Sequence, residues 1–245
     1  MKVIILAAGY ATRLYPLTKS TAKALLEIAD KPLIEYILDK VRKVENISQI
    51  YVITNNKFYD DFMEWSRSYQ EIVDLIILND GTTSNDNRLG AIGDISYVIN
   101  KMGIDEDIMV VAADNLFTFD LQPFVDFFYK KKSDCITVQN IYDTKELQRT
   151  GVVEVDQKGL VLSFEEKPIK PRSHFAVPPL YLYKRSTLHL FTEYVKSGNN
   201  PDAPGNFIPW LIGRQNVYAH FVTGKCYDIG TLESYQHVSD SYRKK

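Results

Sequence analysis

The chain has 245 residues, 45% of them hydrophobic and 24% charged, an ordinary globular balance with room for a sizeable core. Its 29 basic and 31 acidic side chains leave a formal net charge of −2, and the largest basic clusters are only Lys130 to Lys132 and Arg243 to Lys245. Duplex nucleic acid or an anionic membrane as main partner is therefore excluded, since both select strong basic patches; any anion bound here is expected to be small and held locally.

Along the chain, "MKVIILAAG" pairs one lysine with an apolar run too short for a signal peptide, and Lys2 to Leu6 reads as a buried strand. "PLIEYILDKVRKV" places Leu33, Ile37 and Val41 at helical spacing, with Pro32 allowed in a first turn. "QIYVIT" reads as a strand, "FYDDFMEWSRSY" as a helix and "IVDLIIL" as a third strand. After the polar loop "NDGTTSNDNR", "LGAIGDISYVINKM" reads as a helix with Ile92, Ile95 and Ile99 inward, and "DIMVVAA" as a fourth strand. This alternation predicts a parallel sheet with helices on both faces.

After Asp134 the pattern changes. "CITVQNI", "GVVEVD", "LVLSFEE" and "AVPPLYLY" read as strands with little room for helices between them. Helices are expected near Thr187 to Lys196 and Phe207 to Ile212, short strands at "NVYAHFV" and "KCYDIG", and a closing helix at "LESYQHVSDSYRK". No stretch reaches the roughly 18 apolar residues that cross a bilayer. Cys135 and Cys226 lack CxxC spacing and paired histidines, which argues against zinc and suits a reducing cytoplasm. The expected fold is α/β, a Rossmann-like, mostly parallel central sheet followed by a mixed half, in a single domain of residues 1–245 that divides near 133.

Ligands of open parallel sheets bind beyond the carboxyl ends of strands. Gly9, directly after the first strand, permits a sharp turn that aims N–H groups at an anion. The stretch fits neither the Walker A loop nor the GxGxxG pattern. Arg13 can grip phosphate oxygens in a fork and Lys23 can place a point charge, whereas Lys19 reads as a solvated surface charge. Asp114 ends the fourth strand, where a carboxylate can hold a divalent cation; taken alone, a turn or helix cap is the plainer reading. Asp228, before Gly230, reads equally as a metal ligand or an Asx turn. Glu166 and Lys167 can meet a sugar hydroxyl pair and a second phosphate, or form a solvated strand edge.

His174, His189, His220 and His237 stand in surface or packing contexts, and no Ser-His-Asp trio is apparent. One reaction needs no such base. A phosphate monoester, with a second pKa of about 6, is mostly a dianion at neutral pH. It can attack the α-phosphorus of a nucleoside triphosphate if the protein positions both partners and neutralises charge.

These residues stand in stretches that resemble the sugar-1-phosphate nucleotidylyltransferases, most of all the glucose-1-phosphate thymidylyltransferase branch: "LAAGYATRLYPLTKSTAKALL", "AADN", "GVVEVD", "FEEKPIKPRSHFAVPPLYLY" and "YDIGTLESY". The resemblance runs from Met1 to about Tyr235. It implies a nucleotide-binding half (1–133) and a sugar-phosphate-binding half (134–245). It further implies that Ala8, Gly9, Ala11, Thr12 and Arg13 embrace the triphosphate, that Lys23 meets phosphate at the reaction centre, and that Asn79 and Gly90 approach the base. Gly151, Glu166 and Lys167 would hold the sugar phosphate, and Asp114 and Asp228 would hold Mg²⁺. The implied substrates are an NTP, dTTP or UTP first, and a sugar 1-phosphate, glucose 1-phosphate first, handled by a cytoplasmic monomer or small homo-oligomer. A cytidylyltransferase acting on another phosphorylated acceptor such as phosphocholine, or a non-catalytic nucleotide-sugar-binding regulator, are the alternatives. The chain departs from the family pattern at Ala8 and Ala11 (usually Gly), Ala22 (usually Pro) and Pro179 (usually Gly), and "NDGTTSNDNRLG" lacks the expected glutamine.

Overall fold

A computed structural model describes residues 1–69 and 74–243. Ile72 and Val73 of the third expected strand and Lys244 of the closing helix lie outside these described residues. In chain order come β1 (Lys2–Leu6), a short hairpin of β2 (Glu27–Ile28) and β3 (Lys31–Pro32), α1 (Leu33–Val41), β4 (Gln49–Thr54), α2 (Tyr59–Ser66), β5 (Leu75–Asn79), α3 (Ala91–Met102) and β6 (Ile108–Ala112). There follow β7 (Asn115–Phe117), α4 (Gln122–Lys131), β8 (Asp134–Asn140), α5 (Thr144–Leu147), β9 (Gly151–Val155), β10 (Val161–Glu166), β11 (Phe175–Val177) and β12 (Leu180–Tyr183). The chain ends with α6 (Leu188–Lys196), α7 (Phe207–Ile212), β13 (Val217–Phe221), β14 (Cys226–Asp228) and α8 (Leu232–Arg243).

The strands β5, β4, β1 and β6 lie side by side and parallel. Along β1, Val3 and Ile5 belong to one buried cluster with Ile34, Ile37, Phe62 and Phe124, while Ile4 belongs to another with Ile92, Ile95 and Phe191. This is the two-residue period of a strand, and burial of both faces explains the unbroken apolar runs. Each such side chain, fully buried, contributes about 1.5–3 kcal/mol. No helix among the described residues is long and apolar enough to cross a membrane.

β12, antiparallel to β6, carries the same sheet into the second half of the chain. There β8 pairs with β12 and β11 along one edge and with β13, in parallel, along the other. The expected single strand over Ala176 to Tyr183 is thus two strands. Pro178 and Pro179 have no N–H to give a ladder, so pairing lapses between them. β11 offers its other edge to β9 and β12 offers its own to β6. Val177, Pro179 and Tyr181, at this break, border a cleft.

Candidate active site

A cleft of about 570 Å³ opens at the carboxyl ends of β1 and β6 and extends between the two halves of the sheet. Ala8, Gly9, Ala11, Thr12, Arg13, Lys23, Gly90, Asp114, Gly151, Glu166, Lys167 and Asp228 all line it. Asn79 does not. Its Oδ1 accepts from the Gly81 N–H at 2.8 Å and its Nδ2 donates to Asn56 at 3.0 Å. The next residue, Asp80, lines the cleft instead. Lys19 is exposed and lies outside it.

The loop after β1 is held from beneath. The fully buried Asn55 donates to the Ala8 carbonyl at 2.8 Å, and Thr18 Oγ1 donates to the Ala11 carbonyl at 2.8 Å. A Cβ added to Gly9 would meet nothing within 4 Å, so that backbone lies open to a ligand. Ala11, where the family pattern has glycine, takes the left-handed conformation at φ 48° and ψ 42°. A side chain costs roughly 1–2 kcal/mol there, and the Thr18 hydrogen bond helps to hold it. Arg13 is exposed and forms no ion pair among the described residues. Its charge nevertheless reaches Asp228 and favours that group's ionised form.

Asp114 and Asp228 come together through a two-stranded ladder. β14 pairs antiparallel with β7, placing Asp228 opposite Asn115, and the Ile229 N–H donates to the Asp114 carbonyl at 3.1 Å. Lys23 Nζ donates to Asp114 Oδ2 at 2.9 Å, and Asn115 Nδ2 donates to Oδ1 at 2.6 Å. Desolvation raises the Asp114 pKa, but the Lys23 ammonium and these hydrogen bonds outweigh it and hold the group below the usual carboxylate range. Asp228 moves the other way. Desolvation and then the negative charge of Asp114 push it up, against weaker help from Lys23, Arg13 and Lys167. A cation between the two carboxylates would relieve that opposition. Among the described residues no group of three or more His, Cys, Asp or Glu converges anywhere. The donor set therefore suits Mg²⁺, which takes one or two carboxylates and completes its shell with water and substrate phosphates.

Across the cleft, β10 ends in Glu166, and burial raises that carboxyl's pKa against the lowering influence of Lys167. Lys167 has a left-handed backbone at φ 49°, with its N–H donated to the Thr150 carbonyl at 3.1 Å. A bulky residue in that conformation is strained, a state that clusters where a side chain must be aimed. Gly151 and Gly205 leave room for the Phe164 ring, and Gly205 also for the Glu166 carboxyl. Gly90, at φ 76° and ψ 162°, starts α3. A Cβ there would lie 2.7 Å from the Pro201 carbonyl carbon and oxygen, so the glycine lets the 201–205 loop close over α3. Arg88 Nη2 reinforces this contact by donating to Asp202 at 2.9 Å.

Sequence reasoning missed Asp80 and Asp94, which line the same arm of the cleft. Asp94 is 5% exposed, and no donor reaches its buried Oδ1 among the described residues. It shares a side-chain hydrogen bond with Asp80. Burial, then the charge of Asp80, pushes its pKa up to about 8. The available signal was its place in α3, one residue before the buried Ile95 and four before the buried Val98.

Comparison with known proteins agrees with this architecture. A crystal structure from Bacillus anthracis in complex with a sucrose, provisionally assigned as a glucose-1-phosphate thymidylyltransferase, superposes with a TM-score of 0.85 at 27% identity, covering 100% of this chain and 96% of that one. A Mycobacterium tuberculosis glucose-1-phosphate thymidylyltransferase is 32% identical over 80% of this chain and 66% of its own length. A Thermomicrobium roseum glucose-1-phosphate adenylyltransferase is 34% identical over 53% of this chain and 31% of its own. The chain thus spans about a third to two thirds of these curated relatives. The nucleotidyl transferase model matches residues 2–245. The chain belongs to the nucleotidyl transferase family.

Proposed function

We propose that this cleft joins a nucleoside triphosphate to a sugar 1-phosphate and releases pyrophosphate. One observation carries the reading: Lys23, Asp114 and Asp228 meet at the centre of a single cleft that has an open phosphate-type loop on one side and Glu166 with Lys167 on the other. A phosphate oxygen of the sugar phosphate attacks the α-phosphorus. The new P–O bond forms as the bond to the β-phosphate breaks, and pyrophosphate departs with that electron pair. The nucleophile is already a dianion at neutral pH, so no side chain need remove a proton.

The protein's work is then placement and charge. The Gly9 loop and Arg13 hold the triphosphate, Lys23 meets the charge that develops on its phosphates, and Lys167 holds the sugar phosphate while Glu166 takes sugar hydroxyls. When bound by Asp114 and Asp228, Mg²⁺ supplies further neutralisation of the phosphates. Lys23 is paired with Asp114 here, so it has to turn from that carboxylate to reach phosphate. Resemblance favours glucose 1-phosphate as the acceptor and dTTP or UTP as the donor, while the relatives' own names include both thymidylyl and adenylyl transfer.

A pyrophosphate-release screen tests the reading. It pairs dTTP, UTP, CTP, GTP and ATP with a panel of sugar 1-phosphates and with phosphocholine. Release with at least one sugar 1-phosphate is expected. Release with phosphocholine alone would move the acceptor class, and release with no pair would overturn the proposed reaction.

A further inference from the structure

Three arms meet at the centre of the cleft. One carries Arg13 and Lys23, and another carries Lys167. The third, beyond β5 and under α3, carries Asp80 and Asp94. Phosphate would be repelled from that acidic arm, which leaves it for the uncharged part of a nucleotide, the base.

Several donors of the third arm are engaged within the protein. The Tyr10 hydroxyl pairs with Thr82 Oγ1 at 3.2 Å. Arg88 donates through Nη1 to the Asn85 carbonyl at 2.7 Å and through Nη2 to Asp202 at 2.9 Å. The first two N–H groups of α3 are covered as well: Ala91 donates to the Asp202 carbonyl at 3.3 Å and Ile92 to the Pro201 carbonyl at 2.9 Å. Asn85 also lines the arm, and its amide can act in either sense.

The two carboxyl groups add acceptor capacity to this arm. A carboxylate as buried as Asp94, with no donor at Oδ1, is unfavourable. Its place near pH 7 is as the acid that donates to Asp80, and burial holds its proton in that range. Asp80 then keeps the negative charge. Its Oδ1 accepts from the Thr82 N–H at 2.7 Å and the Thr82 hydroxyl at 2.8 Å, the same hydroxyl lies 3.0 Å from Oδ2, and Asp80, partly exposed, lines the cleft.

We propose that Asp80, held by Asp94, reads the nucleobase and selects one that carries an exocyclic amine (cytosine, adenine or guanine) over uracil and thymine. The inference rests on the reading of the cleft as a nucleoside triphosphate site and departs from the resemblance on the base. An exocyclic amine gives a carboxylate the N–H it needs. Uracil and thymine instead offer one N–H between two carbonyl oxygens, and those oxygens meet a negative charge. Asp94 is a positioning residue here, since it acts through Asp80.

The test is calorimetric binding of each of the five NTPs, with Mg²⁺, to the wild-type chain, together with kcat/KM for pyrophosphate release. CTP, ATP or GTP should exceed both UTP and dTTP by about tenfold or more in affinity. Asp80→Asn, which presents amide hydrogens, should narrow or reverse that ratio. Asp94→Asn still donates to Asp80 and should keep the ratio, whereas Asp94→Leu should lose it; an equal loss in both would remove the positioning role. Binding of UTP or dTTP as tight as that of the amino-bearing NTPs overturns the inference and leaves nucleotidyl transfer standing. Selective binding without pyrophosphate release from any pair upholds the inference and overturns the proposed reaction. Binding of no NTP overturns both.

Discussion

Lys23 Nζ donates to Asp114 Oδ2 at 2.9 Å, joining the loop after β1 to the end of β6 across 91 positions of sequence. The contact keeps the centre of the cleft charge-compensated before substrates arrive. Lys23→Ala should lower kcat by about 10²–10³-fold, the scale of losing one electrostatic contact to a developing phosphate charge. Stability should change by only about 1 kcal/mol or less, because Asp114 is 43% exposed and solvent screens the pair. Steady-state kinetics beside urea unfolding separate the two. A variant with full kcat would remove Lys23 from the reaction centre.

Lys167 is expected to act on one substrate only. Lys167→Ala should raise KM for the sugar phosphate at least about tenfold while moving KM for the NTP little, as loss of a charge-assisted hydrogen bond to one ligand does. Equal shifts in both would place Lys167 on the triphosphate.

Gly90→Ala should destabilise the fold by about 2–3 kcal/mol, since the residue sits in a backbone region open essentially to glycine alone. Its added methyl would also meet the Pro201 backbone, which has no flexible end to move aside. Urea unfolding measures the loss, and an unchanged midpoint would show that the 201–205 loop does not bear on α3.

The buried acid gives stability a pH dependence whose sign is set. The pKa of Asp94 is raised to about 8 in the fold, against about 3.9 in an unfolded chain. The native state therefore holds a proton that the unfolded state has released. This contribution is fully present below pH 4 and is lost as pH rises toward 8, on the order of 5 kcal/mol across that window. Asp94→Asn keeps the shape of the neutral acid without the titration. The variant's melting temperature relative to wild type should climb steadily from pH 5 to pH 8.5. A flat difference would mean that Asp94 is not protonated in the fold.

Most of the frame was legible because strands buried on both faces leave continuous apolar runs, as in Lys2–Leu6 and Gln49–Thr54. Where burial does not set the pattern, reading failed. "AVPPLYLY" looks like one apolar strand, yet its two prolines end one ladder and begin another. Asn115–Phe117 is too short to show a period and exists as a strand only because Cys226–Asp228 pairs with it. That pairing is what sets Asp114 beside Asp228, so two residues named from their places at strand ends meet through an element that local pattern could not reveal. Asn79 and Asp80 show the opposite failure. Asn79 ends β5 and Asp80 follows it, and a choice one residue off exchanges a residue outside the cleft for one that lines it. Asp94 stayed hidden because one polar residue in an apolar helix stripe is usually a solvated edge, and only the fold shows that this one is 5% exposed.

That Asp114 and Asp228 share one cation beside the substrates is tested most directly by anomalous diffraction from crystals grown with Mn²⁺, in place of Mg²⁺, and an NTP. A single Mn²⁺ peak within coordinating reach of both carboxylates and of a phosphate oxygen is expected. A peak held by one carboxylate alone, or none in the cleft while the NTP is bound, would contradict it.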